Sequence, residues 1–379
     1  MATVIEFNNA TLADAIKRAN TVAPTRGREF DMFKGFVFDI NPDEEFVTLR
    51  ATNGELYYTE YLYPVNMEVD QAVSWRVSSV STPGIISNLS VKGNIKMKDE
   101  GGKIRMTSGR MKATTPLIRG GEYPDIEHFL YEPENMIQMT GLGARMDLVG
   151  WATTNDGMPP RCGVYMDEDY LCATNGIALV RVPNEYKFKD GRENVVIPYQ
   201  LVAPILRTLE EVEVGVIGNH LVMSPTEDIL IKCTMFDPGF DPVNRVMEKE
   251  YEASISFNRD EVVNALNRVS KVGRADRQIA LDVFIVGEMM TLAIRDRDSS
   301  EEIEESILLI EDAPHDELVR YIFSIEFFTE AISKSPTKEL TMFYNPSKPV
   351  SVVKVQAVGG YEAAIMPRID MKEIKKDGN

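Results

Sequence analysis

This chain contains few residues of the kinds that build disulfide frameworks or metal centres. Its 379 residues include three cysteines and three histidines. Three cysteines cannot all pair with one another, and none stands in a C-x-x-C spacing, so we expect reduced, buried thiols rather than disulfides or a cysteine zinc site. The histidines, at 128, 220 and 315, are spread one to each third of the chain, with no partner at metal-ligand spacing. We therefore expect no metal and no other cofactor.

Signals for membranes and secretion are missing as well. No apolar run approaches the roughly 18 residues of a membrane span, and residues 1–9 lack the basic start and apolar stretch of a signal peptide. We expect a cytoplasmic protein without a membrane partner. Hydrophobic residues form 44% of the chain and charged residues 26%, which is typical of globular proteins. At roughly 100–200 residues per domain, the length predicts two or three domains.

The sequence also lacks the common catalytic motifs. It contains no P-loop, no G-x-G-x-x-G and no G-x-S-x-G. The acidic run at 301–305 lies beside a predicted turn, where such a run is usually a solvated face rather than an acid–base pair. We therefore predict no catalytic residue and no enzymatic activity.

The most informative feature is an internal repeat. The tetrapeptide ATNG stands at 51–54 and again at 173–176, each time after alternating apolar residues, which predicts a β-hairpin. A similar strand followed by a polar turn lies at 290–298. Two amphipathic helices recur with an average step of about 120 to 125 positions. Their segments are 12–19, 146–152 and 262–269 for the first helix, and 85–89, 201–206 and 327–332 for the second.

Each third thus reads as one α+β unit of helix, strands, helix and strands. Turn residues cluster at 120–125 and 237–242, which are equivalent points of the repeat. We predict three domains, at 1–122, 123–246 and 247–370, and a flexible tail at 371–379.

The charge distribution is uneven. With 41 basic and 59 acidic residues the formal charge is −18, which opposes nucleic-acid binding unless the cations are segregated. Basic residues do gather on or after the first helix of the first and last thirds. Composition alone favours solvated helix faces, but repetition at equivalent positions indicates a shared role. The candidates are Lys17, Arg18, Arg26, Arg28, Arg268, Lys271 and Arg274.

Several segments resemble one protein family. YLCATNGIAL at 170–179 resembles the ATDGHRLA segment of the bacterial DNA polymerase III beta subunit, the replicative sliding clamp. GEYPDI at 121–126 and residues 240–246 resemble its two interdomain junctions, and YEAAIMPR at 361–368 is similar to its carboxyl-terminal YVVMPMRL. Their order and spacing cover nearly the whole chain.

The resemblance implies three repeated clamp-type domains, with helices inside and antiparallel sheets outside, forming a closed ring as a head-to-tail homodimer. Such a ring encircles double-stranded DNA independently of sequence and tethers the replicative polymerase as a processivity factor. The basic candidates above would face the DNA. For the dimer interface we expect Val269 and Val272 on one side and Met111 and Ala113 on the other.

The family also has a peptide groove between its second and third domains, which receives short motifs of the polymerase, the clamp loader and other proteins. Carried over by position, the groove would comprise Thr174, Gly176, Ile177, Leu179, Pro242, Arg245, Val246, Val350, Ala364, Ile365, Met366, Pro367 and Arg368.

Some positions depart from the family. Its His-Arg pair after the turn is Ile177 and Ala178 here, the Phe-Pro-Asp order is reversed at 240–242, and the chain runs about ten residues further. We therefore expect a different peptide preference, as would suit a phage-encoded clamp. The alternative hypothesis is a threefold-repeat α+β enzyme or ligand-binding protein that uses its acidic clusters.

Overall fold

Alternating hydrophobicity builds this protein mainly from antiparallel strands, with amphipathic helices packed on them. A computed structural model describes residues 3–23, 33–89, 93–119, 123–124, 133–155, 158–237, 239, 244–271, 280–295 and 302–369. The expected α+β class is confirmed, and every strand pairing among these residues is antiparallel.

All six helical segments expected from the repeat are present. The helices are α1 Asn9–Val22, α2 Thr82–Asn88, α3 Leu142–Val149, α4 Tyr199–Leu206, α5 Asn244–Met247, α6 Arg259–Val269 and α7 Ile325–Ser333.

The strands are short, mostly four to seven residues. They are β1 Val4–Asn8, β2 Phe36–Ile40, β3 Val47–Thr52, β4 Leu56–Leu62, β5 Asn66–Glu68, β6 Val73–Val77, β7 Asn94–Asp99, β8 Lys103–Ser108, β9 Met111–Pro116, β10 Ile137–Thr140, β11 Gly163–Asp167, β12 Tyr170–Thr174, β13 Ala178–Pro183, β14 Asn194–Pro198, β15 Glu211–Ile217, β16 His220–Thr226, β17 Ile229–Thr234, β18 Ala253–Asn258, β19 Ala280–Val286, β20 Met289–Arg295, β21 Glu302–Leu308, β22 Val319–Ser324, β23 Glu339–Tyr344, β24 Val353–Ala357 and β25 Glu362–Ile365.

The chain forms two compact units. Unit 1 comprises Met1–Ala144, Lys187–Glu193 and Gln200–Met235, and unit 2 comprises the remaining segments Arg145–Tyr186, Asn194–Tyr199 and Phe236–Asn379. Unit 1 holds one sheet in the order β5-β1-β7-β8-β9 and another in the order β10-β15-β16-β17-β4-β3-β2-β6. Unit 2 holds a sheet in the order β14-β11-β12-β13-β25-β24-β23-β18 and one in the order β21-β20-β19-β22.

Each eight-stranded sheet therefore combines four strands from the middle third of the sequence with four from a neighbouring third. The middle third contributes to both units because its strands are shared between two sheets. The division into three domains at 122 and 246 stays a prediction.

The two copies of the first helix begin in the same way. α1 and α6 each follow a strand that ends in asparagine, and the side-chain oxygens of Asn8 and Asn258 accept hydrogen bonds from first-turn N–H groups. These N-caps satisfy donors that have no partner inside a helix. The buried stripes also match position by position, with Leu12, Ala15, Ile16 and Ala19 in α1 against Val262, Ala265, Leu266 and Val269 in α6.

The cysteines agree in part with expectation. Cys172 and Cys233 are buried and unpaired, whereas Cys162 is partly exposed. Burial raises the pKa of the Cys233 thiol to about 12 and raises that of Cys172 as well, so both thiols stay protonated at neutral pH. Among the described residues, no helix is both long and apolar enough to cross a bilayer.

Candidate functional site

The repeated Thr-Asn-Gly turn has the same hydrogen bonds in both units. In unit 2 the Thr174 hydroxyl donates to the Ala178 carbonyl at 2.7 Å and accepts from the Gly176 N–H at 3.1 Å. The Asn175 side-chain oxygen accepts from the N–H groups of Ile177 and Ala178, at 2.9 and 2.8 Å. Gly176 has a φ of 87°, a left-handed conformation that side chains disfavour. The turn is therefore rigid.

In unit 1 the matching turn shows the same pattern. The Thr52 hydroxyl donates to Leu56 and accepts from Gly54, both at 2.9 Å, and Gly54 has a φ of 94°. What covers the two glycines differs. A Cβ on Gly54 would lie 2.9 Å from the Phe33 ring, whereas one on Gly176 would lie 2.9 Å from a guanidinium nitrogen of Arg161.

A second aromatic side chain packs on the unit 1 turn. The Tyr123 hydroxyl accepts a hydrogen bond from the Thr52 N–H at 2.9 Å, and its ring lies under the guanidinium groups of Arg50 and Arg76. Burial raises the pKa of Tyr123 to about 12, so it remains a neutral phenol. The chain's own aromatic side chains thus cover this turn.

The turn in unit 2 instead borders an open groove of about 360 Å³. The groove lies where the β12–β13 turn, the α5 region and the segment after β25 meet. Its lining residues are Arg161, Thr174, Gly176, Ile177, Ala178, Leu179, Arg245, Val246, Lys249, Val352, Ala364 and Met366.

The floor of the groove is apolar. Four residues from four different segments pack together there and are at most 8% exposed, with Val246 packed against them. They are Leu179, Met247, Val352 and Ala364. Ile177 and Met366 stand at the rim and are 49% and 48% exposed. An apolar floor with exposed apolar side chains at its edge can bury a ligand's hydrophobic group.

The charged lining residues of the groove are all cations. Arg161 is partly buried beside Gly176, while Arg245 and Lys249 are exposed. The groove therefore combines apolar burial with positive charge in a chain whose net charge is −18.

Beneath the groove, a buried ion-pair cluster joins β13 to its neighbours. Glu362 accepts from Arg181 at 2.5 Å and from Lys354 at 3.3 Å, with all three side chains at most 13% exposed. Arg181 also lies over the Tyr170 ring, at 4.4 Å from its centroid. One carboxylate thus neutralises two cations, one on each side of β25.

Most of the expected groove residues meet in this one place. Thr174, Gly176, Ile177, Leu179, Arg245, Val246, Ala364 and Met366 all line the groove. Val350 and Arg368 line a separate depression of about 600 Å³ that also includes His315 and Arg320. Ile365 and Pro367 are buried, and Pro242 lies outside the described residues.

Four of the lining residues were not among the predicted groove residues. They are Arg161, Ala178, Lys249 and Val352. Val352 could have been found from strand periodicity, because it stands two residues after Val350, and Lys249 from its spacing of four from Arg245. Arg161 could have been found from the internal repeat, because it stands shortly before β11 as Phe33 stands shortly before β2.

The basic helix residues differ in their surroundings. Lys17 and Lys271 are exposed. Arg18 is partly buried, donating to the buried Glu60 at 2.6 Å and to the Tyr58 hydroxyl at 3.2 Å. Arg268 forms a surface ion pair with Glu305, and its hydrogen bonds lower the pKa of that carboxyl. The other three candidates, Arg26, Arg28 and Arg274, lie outside the described residues.

The expected interface residues differ in how far their side chains are exposed. Met111 is 46% exposed and Ala113 is partly exposed, and both lie on the edge strand β9. Val269 is 0% exposed. Its side chain belongs to the core beneath α6, which corrects the expectation that it contributes to a subunit contact. Val272 lies outside the described residues.

Solved structures with this architecture identify the fold. The DNA polymerase III beta subunit of Thermotoga maritima superposes with a TM-score of 0.84 at 17% identity, over 97% of this chain and 100% of that one. This chain has the sliding-clamp fold. The sliding clamp of Bacillus subtilis has a TM-score of 0.82 at 14% identity, and that of Pseudomonas aeruginosa bound to griselimycin has 0.81 at 14%. Each of these two comparisons covers 98% of this chain and 100% of the other.

No protein-family model and no curated protein sequence matches the chain. The sliding-clamp fold is therefore present with a sequence that has diverged widely. Among the described residues, no group of three or more His, Cys, Asp or Glu side chains is arranged to hold a metal ion.

The ion-pair cluster leads to a stability prediction. Replacing Glu362 with alanine leaves Arg181 and Lys354 without their shared buried carboxylate, and breaking a buried pair in this way costs about 3–5 kcal/mol. We expect Glu362→Ala to lower the free energy of unfolding by that amount, measured by urea denaturation at fixed protein concentration.

Glu100→Ala is the matched control, because Glu100 pairs with two exposed cations, Lys103 and Arg105. It should cost about 1 kcal/mol or less. Equal losses in the two variants would contradict the structural role of the buried cluster.

Proposed function

We propose that this protein is a DNA sliding clamp, a cytoplasmic, non-enzymatic ring that encircles duplex DNA and tethers a replicative polymerase. The observation that carries the proposal is the open apolar groove on a sliding-clamp fold matched over nearly the whole chain. In this proposal, residues 1–122, 123–246 and 247–370 are three clamp domains and two protomers close the ring. A phage origin would suit the divergence of the sequence.

The edge strands support a head-to-tail dimer. β9 ends one sheet of unit 1, and β21 ends the smaller sheet of unit 2. An edge strand has unpaired backbone groups that can hydrogen-bond to another chain. β9 and the residue before it carry Arg110 and Lys112. β21 carries the exposed Glu304, and also Glu302 and Glu305, which pair with Arg295 and Arg268 of their own chain. Charge therefore favours pairing β9 of one protomer with β21 of another, and a contact between two different surfaces can close into a ring.

A charge swap tests this interface. Lys112→Glu places a negative charge opposite the acidic β21 of the neighbour, so we expect the dimer dissociation constant to rise roughly tenfold, as one lost cross-strand pair plus a new repulsion implies. Sedimentation or light scattering over a dilution series measures it.

Adding Glu304→Lys to that variant should restore much of the dimer affinity, because Glu304 is exposed on β21 and the pair is then reversed in sign. If both single and double variants dimerise like the wild type, β9 and β21 do not form the contact.

DNA binding in this proposal depends on exposed cations and on topology. Lys17 and Lys271 are exposed on or after the first helix of their thirds, and we propose that they face the duplex together with Arg26, Arg28 and Arg274. Arg18 and Arg268 hold carboxylates of their own chain, so their charge is already compensated. Sequence-independent binding to phosphates needs only such cations, and a closed ring needs little affinity.

The topological test uses a nicked circular plasmid. We expect the protein to co-elute with the circle in gel filtration and to be lost when the circle is linearised, because a ring slides off free ends. Lys17→Glu combined with Lys271→Glu should reduce retention and its dependence on salt. Equal retention on linear and circular DNA would contradict encirclement.

We propose that the groove binds short apolar motifs of the polymerase, the clamp loader and other partner proteins. Burying a leucine or methionine side chain contributes about 1.5–3 kcal/mol before ordering costs. Two such anchors give modest binding that allows partners to exchange.

Met366→Asp tests the groove. The substitution puts a carboxylate at the rim of an apolar floor, and we expect a polymerase-derived clamp-binding peptide to lose at least roughly tenfold in affinity, as the loss of one buried side chain implies. Isothermal titration calorimetry measures the change.

Val358→Asp is the matched control, because Val358 is 80% exposed and is not among the groove residues. It should leave peptide affinity unchanged, and both variants should remain dimeric. Peptide binding that is equally strong in Met366→Asp would show that the groove is not the docking site.

A further inference from the structure

Three neighbouring aromatic side chains, one exposed and two partly exposed, lie on unit 1, apart from every residue considered above. Phe46 stands just before β3, Tyr61 lies near the end of β4, and Tyr63 follows β4. The Phe46 ring centroid is 4.7 Å from that of Tyr61 and 6.2 Å from that of Tyr63. Tyr63 is 58% exposed and the nearby Val65 is 60% exposed. We call Phe46, Tyr61, Tyr63 and Val65 the aromatic patch.

The register of the sheet explains why these rings face solvent. Val47 pairs with Leu62 across the β3–β4 ladder, and both side chains are in the core. Because successive side chains in a strand point to opposite faces, the neighbours Phe46, Tyr61 and Tyr63 lie on the outer face. The core of unit 1 gains little from them, so their exposed apolar surface is available to a partner.

The chain segments that carry and flank the aromatic patch contain acidic residues and no basic ones. Segments 41–48, 59–66 and 224–230 contain no lysine, arginine or histidine. Their carboxylates are Asp43, Glu44, Glu45, Glu60, Glu227 and Asp228. Glu60 is buried against Arg18, whereas Asp43, Glu45 and Glu227 are exposed and Asp228 is partly exposed. We call these four the acidic rim.

The rim and the rings are in direct contact. The Tyr63 hydroxyl donates to a carboxylate oxygen of Asp228 at 2.9 Å. This hydrogen bond raises the pKa of Tyr63, and the negative charge of Glu227 adds to the effect. The two carboxylates at 227 and 228 therefore lie beside the ring system.

The pairing of β4 with β17 shows that a tyrosine ring on this face can hold a cation. Further along the outer face, Lys232 of β17 lies over the ring of Tyr57 of β4, at 5.6 Å from its centroid. At the other end of this strand pair, Asp228 stands just before β17 and its carbonyl accepts a hydrogen bond from the Tyr61 N–H. The residue next to Tyr61 is thus an anion. The sheet thus supplies its own cation at Tyr57, and at Tyr61 and Tyr63 it supplies anions that would hold a cation from outside.

We propose that the aromatic patch and its acidic rim dock an arginine-bearing basic segment of a partner protein. A guanidinium group is planar, so it can stack on a tyrosine or phenylalanine ring while donating hydrogen bonds to a carboxylate. The patch offers both partners within one side-chain length. Nucleic acid is excluded as the occupant because its phosphates would face four carboxylates.

Fluorescein-labelled octa-arginine amide is the probe, titrated with the full-length protein at about 0.15 M salt, where charges further apart than about 8 Å are largely screened. Fluorescence anisotropy gives the dissociation constant. We expect the double variant Phe46→Ala with Tyr63→Ala to bind it roughly tenfold more weakly, since two cation–π contacts are lost while the net charge is unchanged. Tyr63→Phe keeps the ring and should retain most of the affinity.

The acidic rim is tested with variants matched in charge. Glu227→Gln with Asp228→Asn should weaken binding severalfold, whereas Glu288→Gln with Glu326→Gln, at exposed positions of unit 2, removes the same charge and should not. Unchanged thermal unfolding transitions show that each variant is folded, and a variant that fails this check is replaced by the corresponding single substitution.

Three outcomes would overturn the proposal. The first is wild-type affinity in the double variant Phe46→Ala with Tyr63→Ala. The second is an equal loss of affinity in the two charge-matched pairs, which would indicate attraction to net charge alone. The third is a change of oligomeric mass in the Phe46→Ala, Tyr63→Ala variant, which would assign the aromatic patch to a contact between copies of this chain.

Discussion

The antiparallel pairing of β13 with β25 is the constraint on which the groove depends. Residues nearly two hundred positions apart meet there, from Ala178 opposite Ile365 to Arg181 opposite Glu362. A slip of one residue would turn every core side chain to the wrong face and would separate Glu362 from its two cations. Only this register brings the turn at 174–176 beside Met366. The groove is thus a consequence of the register between β13 and β25.

The two units show that the same turn can be either covered or left open. Gly54 and Gly176 have the same conformation and the same hydrogen-bonded threonine. The aromatic rings of Phe33 and Tyr123 pack on the first turn and cover it. Arg161 replaces a ring at the second turn, and a guanidinium group keeps contact with water. The presence of Arg161 where the first turn has Phe33 is thus one difference between a turn covered by aromatic rings and a turn beside an open groove.

Local features of this fold could be predicted from the sequence, and long-range pairings could not. The six helices follow from their apolar periodicity, and the turns at 53–54 and 175–176 from Asn-Gly between alternating residues. Eight groove residues follow from the family resemblance. The pairing of Arg18 with Glu60 depends on a strand 42 positions away, and no local pattern indicates it. The burial of Val269 follows from its place in the apolar stripe of α6, with Val262, Ala265 and Leu266.

The distribution of charge explains how so acidic a chain can bind partners of opposite kinds. In the proposed function, the groove cations Arg161, Arg245 and Lys249 would act on a ligand at contact distance, where the screened field of distant carboxylates is weak. The acidic rim beside Tyr63 acts over the same short range with the opposite sign. Because both surfaces pair charge with exposed apolar side chains, contact contributes affinity and charge decides which segment binds. Net charge then governs solubility and long-range repulsion, while the sign of the charges beside each surface governs which segment binds there.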